Sequence, residues 1–136
     1  MELQIRALIE TDYDKFLCKW WKEWRWDAPD RDFLPENGTG GFVVYDKETP
    51  IVAGFMYNTN SGIAWCDWVI SNINYKNRDG RKEAMELLVS TITEYAKGLD
   101  KKFMYALIKN KPLIATYEKL GYVEASAYIT ELIKKI

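Results

Sequence analysis

With no histidine among its 136 residues, the chain must carry out any proton transfer with carboxylates, tyrosines or water. Histidine-activated nucleophiles and most zinc sites are excluded at the same stroke, and no metal is expected. Asp67 is the carboxylate best placed for such work, because it is the one charge in the run Ile63-Ala64-Trp65-Cys66-Asp67-Trp68-Val69-Ile70. Between tryptophan and cysteine it would be desolvated, which lifts a carboxylate towards the range of a general base. The alternative is a bulge or edge residue turned to solvent. A second centre is Asn110 to Tyr122, N-K-P-L-I-A-T-Y-E-K-L-G-Y, a short helix with both ends written in. Asn110 or Lys111 caps it, Pro112 sits where a missing N–H is harmless, and Gly121 stops it. Tyr117 rides in the middle, and by spacing alone belongs with Leu113 and Leu120 to one apolar stripe. The third centre is Asn77-Arg78-Asp79-Gly80-Arg81-Lys82-Glu83-Ala84, where a glycine among cations precedes a helical pattern. It reads either as an anion seat or as a solvated helix start whose cations oppose the macrodipole.

The elements that must position these residues follow from periodicity. Leu3, Ile5 and Ala7 alternate as a first strand, and Thr11-Asp12-Tyr13-Asp14 opens a helix running to about Trp26. Its apolar face is Tyr13, Phe16, Leu17, Trp20, Trp21 and Trp24. Residues 27–41, with two prolines and three glycines among the acids, read as a long loop. Phe42–Tyr45, Ile51–Tyr57 and Ile63–Ile70 are three antiparallel strands in succession. Ala84, Leu88, Ile92, Tyr95 and Leu99 mark a second helix closing near Gly98, and Phe103–Ile108 is a strand that the crossover allows to pair in parallel with Ile63–Ile70. The motif helix follows, with last strands at Tyr122–Ala125 and Tyr128–Ile133. The order is β-α-loop-β-β-β-α-β-α-β-β, with no internal repeat.

Length and composition bound the function. The chain fits one domain, residues 1–136, and 48% hydrophobic with 29% charged residues describes a folded chain. Nineteen basic residues against twenty acidic ones remove the simplest case for nucleic acid, so any anion site must be local. Cys18 and Cys66 form no disulfide framework and no CxxC, and no basic-then-apolar leader opens the chain. Apolar runs are far shorter than the ~20 residues of a membrane helix. A cytoplasmic protein without membrane attachment is expected, and a homodimer is left open.

Across essentially the whole chain this order resembles the GCN5-related N-acetyltransferase (GNAT) fold. The resemblance implies an α/β (α+β) domain with a mixed, mostly antiparallel sheet of six to seven strands and helices on both faces. It further implies that two neighbouring parallel strands, here Ile63–Ile70 and Phe103–Ile108, splay into a slot whose exposed backbone groups pair with pantetheine amides. In that family an Asn opens a helix beside the pantetheine arm and a Tyr seven positions on protonates the departing thiolate; Asn110 and Tyr117 match that spacing. The family's diphosphate loop, Q/R-x-x-G-x-G/A, is matched poorly: aligning Ala84 with its final position puts Lys82 at the first glycine and Asp79 at the Gln or Arg.

The expectation is therefore an acyl-CoA-dependent N-acyltransferase, moving acetyl from acetyl-CoA to a primary amine by direct attack. Tyr117 is then the acid and Asp67 the base. Val69 and Ile70 supply a backbone N–H to the thioester carbonyl, while Arg78, Gly80, Arg81, Lys82, Ala84 and Asn110 hold the cofactor. The amine, small molecule or protein lysine, is expected near Trp21, Trp26, Asp27, Asp30 and Asp32, through cation–π and ion-pair contacts. A catalytically silent protein of the same fold, binding a protein partner through its aromatic first helix, is the competing reading.

Overall fold

The computed structural model describes residues 2–127 and 130–136. Five strands form its sheet in chain order: β1 (Leu3–Ala7), β2 (Gly41–Asp46), β3 (Thr49–Asn58), β4 (Ile63–Ser71) and β5 (Phe103–Tyr105). The first four pair antiparallel and β5 runs parallel to β4. Helix α1 (Cys18–Glu23) packs on one face; α2 (Arg78–Gly98) and α3 (Lys111–Lys119) cover the other. This is the expected mixed sheet with helices on both faces.

Each face has its own core. Trp20, Trp21, Leu17 and Phe16 meet Val43, Ala53, Phe55 and Ile70 on the α1 side. Leu88, Val89, Ile92 and Ala84 of α2 meet Val44, Val52, Met56 and Cys66 on the other. Most of these side chains are fully buried, and each large apolar one contributes ~1.5–3 kcal/mol on leaving water. The β2–β3 pair approaches so closely that a Cβ on Gly41 would lie 2.0 Å from the Gly54 carbonyl oxygen. Only glycine fits there.

The first helical segment is not a capped α-helix. Asp12 is buried at 1% exposure, and its carboxylate takes a fork from Arg6 (2.8 and 3.0 Å) and the Ile9 amide (2.8 Å). One π-helical turn, Tyr13–Leu17, then leads into α1, which ends at Glu23 instead of running to Trp26 because Arg25 turns left-handed at φ 63°. Helix α2 starts earlier than its apolar pattern, at Arg78, where the Asn77 side chain accepts from the Gly80 amide at 2.9 Å.

Among the described residues the sheet has five strands, not six or seven. Residues 122–127 form none, because Tyr122 is tied to the helix layer: its hydroxyl shares a 2.6 Å hydrogen bond with Thr93 Oγ1 and its ring meets Tyr117 edge-on. Of the expected Tyr128–Ile133 strand, residues 128 and 129 lie outside the described residues and residues 130–133 are not in a strand. β5 is also shorter than expected, stopping at Tyr105.

Candidate active site at the parting of β4 and β5

Only three residue pairs join β4 to β5: Ile63 with Phe103, Ala64 with Met104 and Trp65 with Tyr105. Beyond that point β4 continues for six residues, Cys66 to Ser71, with no strand partner on its β5 side among the described residues. The backbone groups on that side need partners, and a thin amide-bearing chain can supply them. Antiparallel bonding to β3 keeps the other side of β4 in place.

The free half of β4 is braced so that the opening holds its shape. Trp24 Nε1 donates to the Ser71 carbonyl at 2.8 Å, Asn72 Nδ2 to the Pro50 carbonyl at 3.0 Å, and Asn74 Nδ2 to Glu23 at 2.9 Å. Arg81 completes the brace by donating from Nη2 to the Asn72 carbonyl at 3.0 Å and to that of Tyr75. Both bonds leave from Nη2 and tie the guanidinium to the loop before α2.

At the notch, on the α2–α3 side, Cys66 is the first residue past the last β4–β5 pair, and its thiol lies 3.1 Å from the Tyr117 hydroxyl. Asn110 holds α3 in position by accepting from the Leu113 amide at 3.0 Å, with Pro112 in the first turn and Gly121 left-handed after the last. Tyr117 is 3% exposed. Burial, with help from Cys66, pushes its hydroxyl above the ordinary tyrosine value, and burial pushes the Cys66 thiol up to about 12. Both are protonated at neutral pH, so the tyrosine can donate and neither can act as a base.

Asp67 lies on the opposite face. It pairs with Phe55 of the α1-side core, whereas Cys66 pairs with Met56 of the α2-side core. A bulge falls here: the register shifts between Ala53 and Phe55, and Trp68 adopts φ 55°. The Asp67 carboxylate accepts from the Trp68 amide at 2.8 Å. Desolvation nevertheless raises its pKa, the Trp68 bond opposing and Glu131 adding to the rise. Asp67 itself stays in register with Phe55, next to the irregularity at Trp68, and it is desolvated instead of turned to solvent.

Sequence reasoning missed the surroundings of Asp67. Trp68 stands edge-on to Trp21 (6.0 Å) and to Phe33 (5.8 Å), and Tyr57 donates to the Phe33 carbonyl at 2.9 Å. Trp65 meets Tyr105 edge-on at 4.9 Å. A tryptophan on each side of Asp67 was the available signal; the positive φ that turns Trp68 was not legible.

Other expected site residues are dispersed. Trp21 is fully buried, its Nε1 without a hydrogen-bond partner, so it belongs to the core and not to an acceptor surface. Trp26 is exposed and stacks on Trp24 at 6.3 Å, and Asp27, Asp30 and Asp32 are exposed as well. Val69 is half-buried and Ile70 buried, both on the unpartnered half of β4. Ala84 is fully buried in the α2-side core and Gly80 is buried with its amide capped, which leaves the Arg78 and Asp79 amides at the helix start. Arg78 and Lys82 are exposed. Lys82 borders a depression of about 440 Å³ between α2 and α3, shared with Asp79, Glu83, Glu86 and Lys119, and Lys119 pairs with Glu86 at 2.8 Å. A larger cavity, about 570 Å³, is lined by the end of β1, the start of β2 and the end of β3, and shares with the Asp67 surroundings only Tyr57.

Neither a protein-family model nor a curated protein sequence matches the chain. Solved structures do. A point mutant of TTHA1254 from Thermus thermophilus aligns with a TM-score of 0.73 at 13% identity, covering 98% of both chains. Glucosamine-6-phosphate N-acetyltransferase from Arabidopsis thaliana gives 0.67 at 12%, over 98% of this chain and 100% of that one. N-acetylglutamate synthase from Neisseria gonorrhoeae, complexed with coenzyme A and L-arginine, gives 0.72 at 13%, over 92% of this chain but 28% of its own length. A GNAT family acetyltransferase of Staphylococcus aureus aligns at 0.62. The fold of this chain is that of the GCN5-related N-acetyltransferases.

Proposed function

We propose that the chain is an acyl-CoA-dependent N-acyltransferase that moves acetyl from acetyl-CoA to a primary amine by direct attack. The observation that carries this reading is the early parting of β4 from β5, with the Tyr117 hydroxyl on one face of the notch and Asp67 on the other. The neighbour solved with coenzyme A shares this fold, which supports the same donor here.

In this reading the thioester arm lies along the unpartnered half of β4, bonded to backbone there, and the Val69 or Ile70 N–H polarises the thioester carbonyl. Asn110 sets the start of α3 beside the arm. The diphosphate takes the Arg78 and Asp79 amides, the turn at Gly80 and the side chains of Arg78 and Lys82. Arg81 and Ala84 leave that set, the first as a brace and the second as core. Asp67 accepts a proton from the arriving ammonium and passes it to water, the neutral amine attacks, the C–N bond forms, the nitrogen's second proton leaves to Asp67, and the C–S bond breaks with its electron pair on sulfur. Tyr117 turns from Cys66 to donate to that thiolate. Because burial holds its proton tightly, it acts chiefly as a hydrogen-bond donor.

The test is acetyl-CoA-dependent thiol release with a panel of amines, for the natural chain and for Tyr117→Phe. Acid catalysis is worth roughly 10²–10⁴-fold, and a tyrosine so reluctant to ionise belongs at the low end, so a loss of about 10- to 100-fold with CoA affinity retained is expected. Unchanged turnover would remove Tyr117 from the mechanism. The silent, protein-binding alternative draws on a specific observation: three carboxylates crowd the depression where phosphates would approach α2. Absence of CoA binding at millimolar concentration would favour it.

A further inference from the structure

Resting on the transferase reading, the face opposite the CoA slot carries information about the acceptor. Trp65 and Asp67 share that face by strand alternation, and Tyr57, the partner of Trp65, shares it with them. Tyr105 pairs with Trp65 across the last rung of the β4–β5 ladder and meets it edge-on. On the other flank the bulge brings Trp68 against Phe33, whose carbonyl holds the Tyr57 hydroxyl. The result is a carboxylate between two aromatic walls at the apex of the slot, where an attacking nitrogen would have to arrive.

We infer that the acceptor is a primary amine on an aromatic or otherwise apolar stem, without a carboxylate or phosphate of its own. The walls favour it twice, by burying an apolar stem and by offering ring faces to an ammonium before it is deprotonated. An anionic group is disfavoured for the complementary reason. None of the six residues, Tyr57, Trp65, Asp67, Trp68, Phe33 and Tyr105, is basic, and Glu131 of the C-terminal segment adds a negative charge near Asp67. Two cations on the adjoining segments already have partners. Arg31 pairs with Asp14 at 3.0 Å and lies over the Tyr13 ring, and Lys101 donates to the carbonyls of Thr59 and Ser61 at 2.7 Å each. A carboxylate brought beside Asp67 would lose water against the aromatic rings and be repelled by Asp67 and Glu131.

β-Phenylethylamine and L-phenylalanine differ by one carboxylate and make the direct comparison. With the intact protein at saturating acetyl-CoA, thiol release should favour β-phenylethylamine by about 100-fold or more in kcat/KM, the size expected when one ligand forces an unpaired buried charge. Trp68→Ala should raise KM for β-phenylethylamine far more than it lowers kcat. Thermal shift with acetyl-CoA, run beside the assay on both proteins, reports the slot and the fold separately. A shift with equal rates for the two amines, or with L-phenylalanine preferred, overturns the acceptor assignment and leaves the transferase reading standing. A shift with neither amine acetylated also overturns it. No shift at all removes the transferase reading and this inference with it.

Discussion

Among single residues, Tyr117 and Asp67 stand on opposite faces of β4. Asp67 must lose its proton to work, and desolvation places its pKa above the ordinary carboxylate value. The acid limb of kcat/KM against pH should accordingly fall at a higher pH than for a free carboxylate, and Asp67→Asn should lower kcat/KM by about 10²-fold or more and abolish that limb. A profile unchanged by the substitution would leave Asp67 with no role beyond its bond to the Trp68 amide. Arg6 makes a different kind of claim. Its fork holds a buried Asp12, so Arg6→Ala should destabilise by ~1–3 kcal/mol in urea unfolding, the penalty of leaving a buried polar group short of partners. Asp67 was legible in the sequence because it is the one charge in an apolar run. The partition of tryptophans was not: Trp21, expected at the acceptor surface, packs inward, while Trp68, not among the candidates, stands beside Asp67 through a positive φ that no spacing encodes.

At the scale of elements, the wall of the slot stands or falls with its bracing. Arg81→Ala removes a donor from the Asn72 and Tyr75 carbonyls. The expected result is a loss of ~1–3 kcal/mol in stability, with CoA affinity lowered less than by Lys82→Ala. Calorimetric titration of both variants measures this, and the reverse order would return Arg81 to the phosphate set. The existence and order of strands β1 to β5 and of all three helices could be read from period and turn residues, because burial of one face imposes that period. Element ends were read less well. Apolar alternation continues past Tyr105 although pairing stops there, since Ala106 and Ile108 still pack against the α2-side core as residues of a longer strand would. The last strands failed for a related reason: Tyr122 has the pattern of a strand residue but is captured by Thr93 and Tyr117.

At the scale of the whole molecule, several buried acids are kept neutral by the fold, and that shapes its response to alkali. Cys66 titrates near 12 instead of about 9, and Tyr57 near 12 instead of about 10, in both cases chiefly through burial. Because the folded values lie above the unfolded ones, their contribution to stability is complete below the unfolded pKa and is lost as pH rises towards the folded one. The melting temperature should therefore fall between about pH 9 and about pH 12, and less steeply in Cys66→Ala. Identical slopes would contradict the assignment of Cys66 to this term. The central claim is that the unpartnered half of β4 pairs with the amides of a CoA arm. Amide hydrogen exchange tests it most directly, because a bound arm supplies the partners that the strand lacks on its β5 side. Saturating acetyl-CoA should slow exchange within residues 66–71 of β4 while leaving β1 and β2 unchanged. Exchange in 66–71 that is the same with and without acetyl-CoA would contradict the account.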